Sequence, residues 1–156
     1  MELEEISKSE KDTLELGRSI GRLLKGGEVI CLAGPLGAGK TCLARGILEG
    51  AGVRSGIRSP SFNIMYLHKG RIPVYHFDVY RLDDPSEAWE LGLDEAVGGD
   101  AAVIIEWADR LGDWAKSHLY IEIFPRAEER LIRICDRAGA YRELLASVTK
   151  NADTRH

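Results

Sequence analysis

The chain has 156 residues, of which 44% are hydrophobic and 29% charged, and its formal net charge is −4. This length suits one domain whose core needs no disulfide or structural metal, and the negative charge argues against a protein whose main role is to grip nucleic acid by its phosphates. We expect a single domain over residues 1–150 and a disordered tail over residues 151–156.

Targeting signals and cysteine patterns point to the cytoplasm. No apolar run approaches the ~18 residues of a membrane span, and residues 1–5 have neither the basic end nor the apolar core of a signal sequence. Cys31, Cys42 and Cys135 are odd in number and lack C-x-x-C spacing, so neither a disulfide nor a zinc site is predicted. We therefore expect a cytoplasmic protein with reduced thiols and no membrane association.

The first third of the chain predicts a strand, a helix and a second strand. Residues 3–6 are expected to form a short strand, and Ser9 has the position of a cap for a helix that ends before two glycines. Residues 28–33 are almost entirely apolar and indicate a buried strand. Apolar residues then recur at helical spacing up to about Gly50, which predicts a second helix.

A glycine-rich loop separates this buried strand from the second helix. Residues 34–41, GPLGAGKT, match the phosphate-binding pattern G-x-x-x-x-G-K-[ST] at every fixed position. Glycines let several backbone N–H groups approach a triphosphate closely, Lys40 is expected to reach its β- and γ-phosphates, and Thr41 offers a hydroxyl to Mg²⁺. The predicted phosphate-binding residues are Gly34, Pro35, Leu36, Gly37, Ala38, Gly39, Lys40 and Thr41.

The remaining elements predict a sheet with hairpins. Strand-like runs are found at residues 62–68, 72–80, 101–105, 119–123 and 132–134, with a turn at 125–129, a short helix at 87–91 and a final helix at 141–148. Strands that alternate with helices around a phosphate-binding loop predict an α/β fold. We expect a three-layer α/β/α sandwich of the P-loop NTPase type with a mixed, mostly parallel central sheet.

Glu106 is the first candidate for holding a metal opposite Thr41. It follows the apolar run 101–105, and the carboxyl end of a parallel strand is where such sheets bind ligands. Asp is the commoner residue at this position, and an ordinary exposed Glu at a strand end is the alternative. The predicted metal ligands are thus Thr41 and Glu106.

Asp78 and Ser61 are the other candidate catalytic residues besides Lys40 and Glu106. Asp78 shares a strand face with His76, and either a catalytic role or an ordinary ion pair fits its position. Ser61 has the position of a γ-phosphate sensor, although turn capping beside Pro60 explains it equally well.

Charge is distributed unevenly along the middle of the chain. Residues 52–82, the basic segment, carry five Lys or Arg and one acid, whereas residues 83–109, the acidic segment, carry nine acids and no Lys or Arg. These segments are either two solvated surfaces or patches of opposite sign that steer a partner protein.

Four elements together resemble one family. They are the loop 34–41, the SPSF run 59–62, the HFDVYR run 76–81 and the Glu106-Trp107 pair, and in this order and spacing they resemble TsaE, the small bacterial P-loop ATPase of tRNA threonylcarbamoyladenosine synthesis. The resemblance covers residues 9–130, and its last two elements are far more specific than the loop.

The resemblance implies ATP or ADP binding with Mg²⁺ and assembly with the TsaD and TsaB proteins, so that tRNA is met only through the complex. It places Thr41 and Glu106 at the metal, Ser61 and Asp78 at the γ-phosphate and Arg130 near the adenine. We also expect Glu10, Cys42 and Trp107 to contact the nucleotide. This chain departs from the family at Pro35, where Asp is usual, and at Ser61, where Thr is usual.

Three other functions remain open at this point. A GTPase would carry an [NT]-K-x-D signature, and the nearest string, at residues 149–153, has the wrong spacing. A small-molecule kinase would carry an arginine-rich lid, which is not evident in residues 109–116. A nucleotide-gated binding module with incidental hydrolysis needs the same phosphate grip as an ATPase, so the sequence does not separate the two.

Overall fold

The computed structural model describes residues 1–57 and 64–155. Seven strands form one sheet in the order β1-β7-β6-β2-β5-β4-β3. The strands are β1 (Glu2–Ser7), β2 (Val29–Ala33), β3 (Met65–Lys69), β4 (Pro73–Asp78), β5 (Ala102–Glu106), β6 (Leu119–Arg126) and β7 (Glu129–Asp136). The four central strands β6, β2, β5 and β4 are parallel, and antiparallel pairs at both edges make the sheet mixed, as predicted.

The helices lie on both sides of this sheet. They are α1 (Glu10–Arg22), α2 (Lys40–Gly50), α3 (Asp94–Ala96), α4 (Asp113–Lys116) and α5 (Arg142–Arg155), with short helical turns at Trp89–Leu93 and Ala108–Leu111. The predicted cap of α1 is present, because the Ser9 hydroxyl accepts a hydrogen bond from the Asp12 amide at 3.1 Å. Among the described residues, no helix combines the length and apolar character needed to cross a bilayer.

Two separate cores cover the two faces of the sheet. The core under α1, α2 and α5 includes Leu16, Ile20, Leu43, Ile47, Leu145 and Val148. The core on the opposite face is built from Phe77, Val79, Ala88, Leu93, Ala108 and Ala115, together with the half-buried Trp89, Trp107 and Trp114. This arrangement confirms the three-layer α/β/α architecture.

Glycines bring α1 and α2 into unusually close contact. A Cβ atom added at Gly17 would lie 2.6 Å from the Leu43 carbonyl oxygen and 2.9 Å from the Cα of Gly46, closer than real Cβ atoms approach. A side chain at Gly46 would in turn overlap the carbonyl oxygen of Leu14. The two backbones therefore pack directly against each other, which fixes α2 and the loop that precedes it.

Arg71, in the turn between β3 and β4, has a structural role that the charge pattern did not reveal. Its guanidinium donates hydrogen bonds to the carbonyl oxygens of Leu24 at 2.6 Å, Gly21 at 3.0 Å and Arg22 at 3.3 Å. These carbonyls lie at or just beyond the end of α1, where no further turn of helix supplies the usual i+4 amide donors. Arg71 thus joins the β3–β4 hairpin to α1, and its charge is not simply a surface charge.

Three local predictions differ from the structure. The predicted helix at 87–91 is present but longer, because helical residues continue through Trp89–Leu93 to Ala96, with an irregularity at Gly92, whose φ is 121°. The β6–β7 turn is shorter than 125–129, because the strand ladder continues to the pair Arg126–Glu129. Finally, α5 continues to Arg155, beyond the predicted end of the final helix at residue 148; no Gly or Pro in residues 149–155 interrupts it.

Candidate functional site

The glycine-rich loop connects β2 to α2 at the carboxyl end of the parallel strands. Gly39, the last residue before α2, has φ 112°, a conformation that favours glycine. The Lys40 side chain turns back into the loop and donates to the carbonyl oxygens of Gly34 at 2.5 Å and Pro35 at 2.8 Å. Lys40 is 5% exposed, and its burial lowers the pKa of the ammonium, which the nearby charges of Glu106, Asp109 and Asp78 oppose.

The Trp107 ring contacts the Lys40 ammonium. The Lys40 Nζ lies 3.8 Å from the centre of the Trp107 ring, within the range of a cation–π contact. Trp107 also packs against Tyr80, with 4.5 Å between ring centres. Trp107 itself adopts a left-handed backbone conformation, with φ 60°, which is costly for a large side chain and is common at functional sites.

The Glu106 carboxylate is bound by two elements at once. Its Oε1 accepts a hydrogen bond from the Thr41 hydroxyl at 2.8 Å, and its Oε2 lies 2.6 Å from Nε2 of His76. Glu106 and His76 are 1% and 2% exposed. Thr41, in the first turn of α2, and Glu106, at the end of β5, are therefore in direct contact. They are the two predicted metal ligands.

Asp78 lies beside Glu106 in the parallel ladder between β4 and β5. Its Oδ1 accepts a hydrogen bond from the Tyr80 amide at 2.9 Å. Burial raises the pKa of the Asp78 carboxyl, and the Glu106 charge adds to this, whereas the Tyr80 hydrogen bond and the charges of His76 and Lys40 act in the opposite direction. Asp78 is thus a half-buried carboxyl within the same cluster as Glu106 and Lys40.

The remaining predicted nucleotide contacts lie on the other side of the loop. The Arg130 guanidinium covers Gly39 so closely that a side chain at Gly39 would collide with it. The Cys42 thiol contacts the Glu10 carbonyl oxygen at 3.6 Å, which brings the start of α1 beside the first turn of α2. The structure therefore gathers all the predicted site residues around the loop except Ser61, which lies outside the described residues.

Two contributors were given no role by the sequence analysis. His76 was placed on the Asp78 face, and that shared face was the available signal for its contact with Glu106. Arg110 donates to the carbonyl oxygens of Val79 at 2.7 Å and Tyr80 at 2.5 Å, so it holds the segment that follows Asp78. No local pattern marks Arg110, because its partners are backbone atoms about 30 residues away.

The oxygen atoms of this cluster are suited to a magnesium ion. Mg²⁺ prefers oxygen ligands and is usually held by one or two carboxylates together with substrate phosphates and water. The Thr41 hydroxyl and the Glu106 carboxylate are such ligands and lie on adjacent elements. In the described part of the chain no group of three or more His, Cys, Asp or Glu side chains forms a metal cage. The residues therefore fit an ion that is shared with a phosphate ligand.

Together, the loop after a central parallel strand, the helix that follows it and the acid at the end of the neighbouring strand define a P-loop NTPase-like α/β protein. Comparison with known families identifies the chain more specifically. The family model "Threonylcarbamoyl adenosine biosynthesis protein TsaE" matches residues 7–133. This match covers most of the chain, which therefore belongs to the TsaE family.

Individual relatives agree with this assignment. The tRNA threonylcarbamoyladenosine biosynthesis protein TsaE of Treponema pallidum is 41% identical over 106 residues, 68% of this chain and 78% of the relative. TsaE of Bacillus subtilis is 38% identical over 130 residues, 83% of this chain and 74% of the relative. The crystal structure of Bacillus subtilis YdiB superposes with a TM-score of 0.80 at 29% identity and covers 97% of both chains.

Proposed function

We propose that this protein binds and hydrolyses ATP with Mg²⁺ and that it supports the formation of threonylcarbamoyladenosine in tRNA together with TsaD and TsaB. The observation that carries the proposal is the 2.8 Å hydrogen bond that the Thr41 hydroxyl donates to the Glu106 carboxylate, whose charge also acts on the Lys40 ammonium. Contact between the two predicted metal ligands, one of which follows the predicted phosphate-binding lysine in the sequence, supports the proposal. Family membership supplies the biological context.

Phosphate binding would use the loop and the start of α2. The backbone N–H groups of residues 34–41 and the positive end of α2 attract an anion. In the structure Lys40 donates hydrogen bonds to the carbonyl oxygens of Gly34 and Pro35. Phosphate oxygens are stronger acceptors for an ammonium than neutral carbonyls, so Lys40 would exchange these partners for the β- and γ-phosphates.

Thr41 and Glu106 would hold the magnesium ion, which when bound neutralises charge that develops on the phosphates. The Glu106 carboxylate is already oriented by hydrogen bonds at both oxygens, so little reordering is needed for Oε1 to face the phosphates. Such preorganisation matters because phosphoryl transfer depends mainly on positioning and electrostatic stabilisation.

Asp78 is the residue best placed to orient the attacking water. Its Oδ1 is fixed by the Tyr80 amide at 2.9 Å, which leaves Oδ2 to accept a hydrogen bond from water. The raised pKa of this carboxyl, caused mainly by burial, makes it a better proton acceptor than an exposed aspartate. In this proposal Ser61 senses the γ-phosphate.

The TsaD–TsaB surface is proposed to cover residues 59–81 and part of the acidic segment. Asp78 and Tyr80 tie this region to the phosphate-binding loop through the Trp107 ring, so a change at the loop would reach the surface. A binding module in which the nucleotide only gates assembly would use the same contacts, and turnover distinguishes the two.

The test is ATP turnover by the purified protein alone and with TsaD, TsaB and tRNA, with nucleotide binding measured separately by calorimetry. We expect ATP and ADP to bind in preference to GTP. ATP hydrolysis should require Mg²⁺, and in the presence of the partners each protein molecule should hydrolyse ATP repeatedly. Binding of GTP as tightly as ATP would contradict the nucleotide assignment. Tight ATP binding without turnover under any of these conditions would identify a nucleotide-gated binding module.

A further inference from the structure

His76 is the buried neighbour of Glu106 on β4. Its side chain is 2% exposed, and Nε2 lies 2.6 Å from Glu106 Oε2. A carboxylate can only accept hydrogen bonds, so His76 must carry its proton on Nε2 and donate it to Oε2. With Oε1 bonded to Thr41, each oxygen of Glu106 then has one fixed partner.

Strand register explains why this partner is a histidine two residues before Asp78. In the parallel ladder Asp78 is opposite Glu106 and His76 is opposite Ile104, so His76 and Glu106 are diagonal neighbours. A glutamate is one methylene longer than the aspartate that is more usual at this strand end. The Glu106 side chain uses that length to lean back along the sheet, and the imidazole holds its carboxylate there.

The second nitrogen of His76 argues against a purely structural role. Within the described part of the chain, Nδ1 of His76 is buried and has no hydrogen-bond partner. A buried polar atom without a hydrogen-bond partner is destabilising, because it loses its contact with water and gains nothing in return. A nonpolar side chain of similar size would fill this space without that cost, so the imidazole is explained by the hydrogen bond that Nε2 donates.

We infer that His76 is a positioning residue, which fixes the rotamer of Glu106 so that Oε1 faces Thr41 and the phosphate-binding loop. The inference rests on the proposed function, because it assigns His76 a task through a metal ligand. His76 itself contacts neither metal nor nucleotide. Partners of metal ligands typically change metal affinity or activity by about 10- to 100-fold when removed.

The decisive measurement is the Mg²⁺ dependence of ADP binding, measured by calorimetry with and without the ion. His76→Ala should weaken the Mg²⁺-dependent part of the affinity by about 10- to 100-fold and leave ADP binding without Mg²⁺ unchanged. His76→Gln should restore most of the loss, since a glutamine amide nitrogen is the same number of bonds from the backbone as Nε2. His68→Gln is the matched control, because His68 is also buried in the β3–β4 hairpin, with its ring centre 6.4 Å from that of His76.

A double-mutant cycle separates positioning from general destabilisation. If His76 acts through Glu106, adding His76→Ala to Glu106→Ala should cause no further loss of Mg²⁺ affinity. Additive losses in the double variant, or an equal loss in His68→Gln, would overturn the inference.

Nuclear magnetic resonance of the ¹⁵N-labelled imidazole tests the same contact in the wild-type protein, whether or not the alanine variant folds. We expect a solvent-protected proton on Nε2 and none on Nδ1; a proton on Nδ1 alone would overturn the inference. If the wild-type protein shows no effect of Mg²⁺ on ADP binding, the proposed function fails. If it shows that effect and His76→Ala retains it in full, only the role of His76 fails.

Discussion

The two faces of the sheet are built in different ways. On one face, α1 and α2 meet backbone to backbone at glycines, and the long helices cover a continuous aliphatic core. On the other face, residues 89–96 and 108–116 form short helical turns, Gly92 and Gly112 within them have positive φ, and Trp107 is left-handed. Side-chain hydrogen bonds, such as those of Arg110 to the Val79 and Tyr80 carbonyls, hold this second face together.

This contrast suggests that the two faces contribute differently to the protein around the glycine-rich loop, residues 34–41. The loop and Lys40 are attached to the glycine-packed face through α2, whereas Glu106, Trp107 and Asp78 belong to the strand ends that lead into the short turns. We therefore expect substitutions on the first face to act mainly on folding stability, and those on the second to act mainly on function.

Gly17→Ala should produce the largest loss of stability. If it did not, the proposed difference between the two faces of the sheet would be wrong. The added Cβ would meet backbone atoms of α2, which cannot rotate away, so we expect a loss of about 3 kcal/mol in the free energy of unfolding, the upper end for overpacking. Gly99→Ala is the control, since the nearest atom to its Cβ would be 3.7 Å away, and it should change stability by less than about 0.5 kcal/mol. Equal denaturation midpoints for the two variants would show that the glycine contact is unimportant.

Lys40→Ala should come next and should act on binding. Loss of a charge-assisted bond to phosphate is expected to cost about 1.5–3 kcal/mol or more in nucleotide affinity, measured by calorimetry. Arg45→Ala removes a largely exposed cation from the same helix, where it pairs with Glu49 at 3.5 Å, and should bind ADP normally. Normal binding by Lys40→Ala would refute the assignment of the loop.

Glu106→Ala and Asp78→Ala sharpen the comparison on the second face. Both should fold, keep much of the nucleotide affinity and lose Mg²⁺-dependent hydrolysis by about tenfold to a hundredfold, or about 1.4–2.7 kcal/mol in the activation barrier. The rate of hydrolysis is measured as phosphate release by the wild type, by both variants and by the control Glu95→Ala. Wild-type turnover in both site variants would leave the two carboxyls with a structural role only.

The smallest effect is expected for the basic segment. Reversing Arg54 and Lys69, both exposed, should slow association with TsaD–TsaB several-fold at low salt and leave ATP binding nearly intact, because rim charges act mainly on association rates. Reversing Lys8 and Lys25 changes the net charge equally and is the control. Arg71 is excluded from this test, since its guanidinium caps α1. Equal association rates for both double reversals would identify the segment as an ordinary solvated surface.

The features that were predictable from sequence are those coded by neighbours in the chain. The loop at residues 34–41, the cap at Ser9 and the buried runs that became β2 and β5 each depend on a few consecutive residues, and the structure has all of them. The position of Glu106 after an apolar run also predicted that it ends a parallel strand, and in the structure it lies at the end of β5, opposite Asp78.

The remaining features depend on contacts between distant residues. Pairing of β1 with β7 joins residues more than 120 positions apart, and no local pattern encodes it. The Arg71 cap on α1 and the His76–Glu106 bond likewise link residues 30 or more positions apart, so their roles appear only when the sheet is assembled. The roles of the site residues toward nucleotide and metal stay predictions.

The position of Lys40 above Trp107 gives the protein a built-in optical probe. A positive charge 3.8 Å from the centre of an indole ring shifts the energy of its excited state, and any ligand that draws the ammonium away removes that shift. Trp89 and Trp114, which pack edge to face 4.6 Å apart in the core, lie outside this contact and provide a constant background. The intrinsic emission of the unlabelled protein should therefore report whether its lysine is on the indole or on a phosphate.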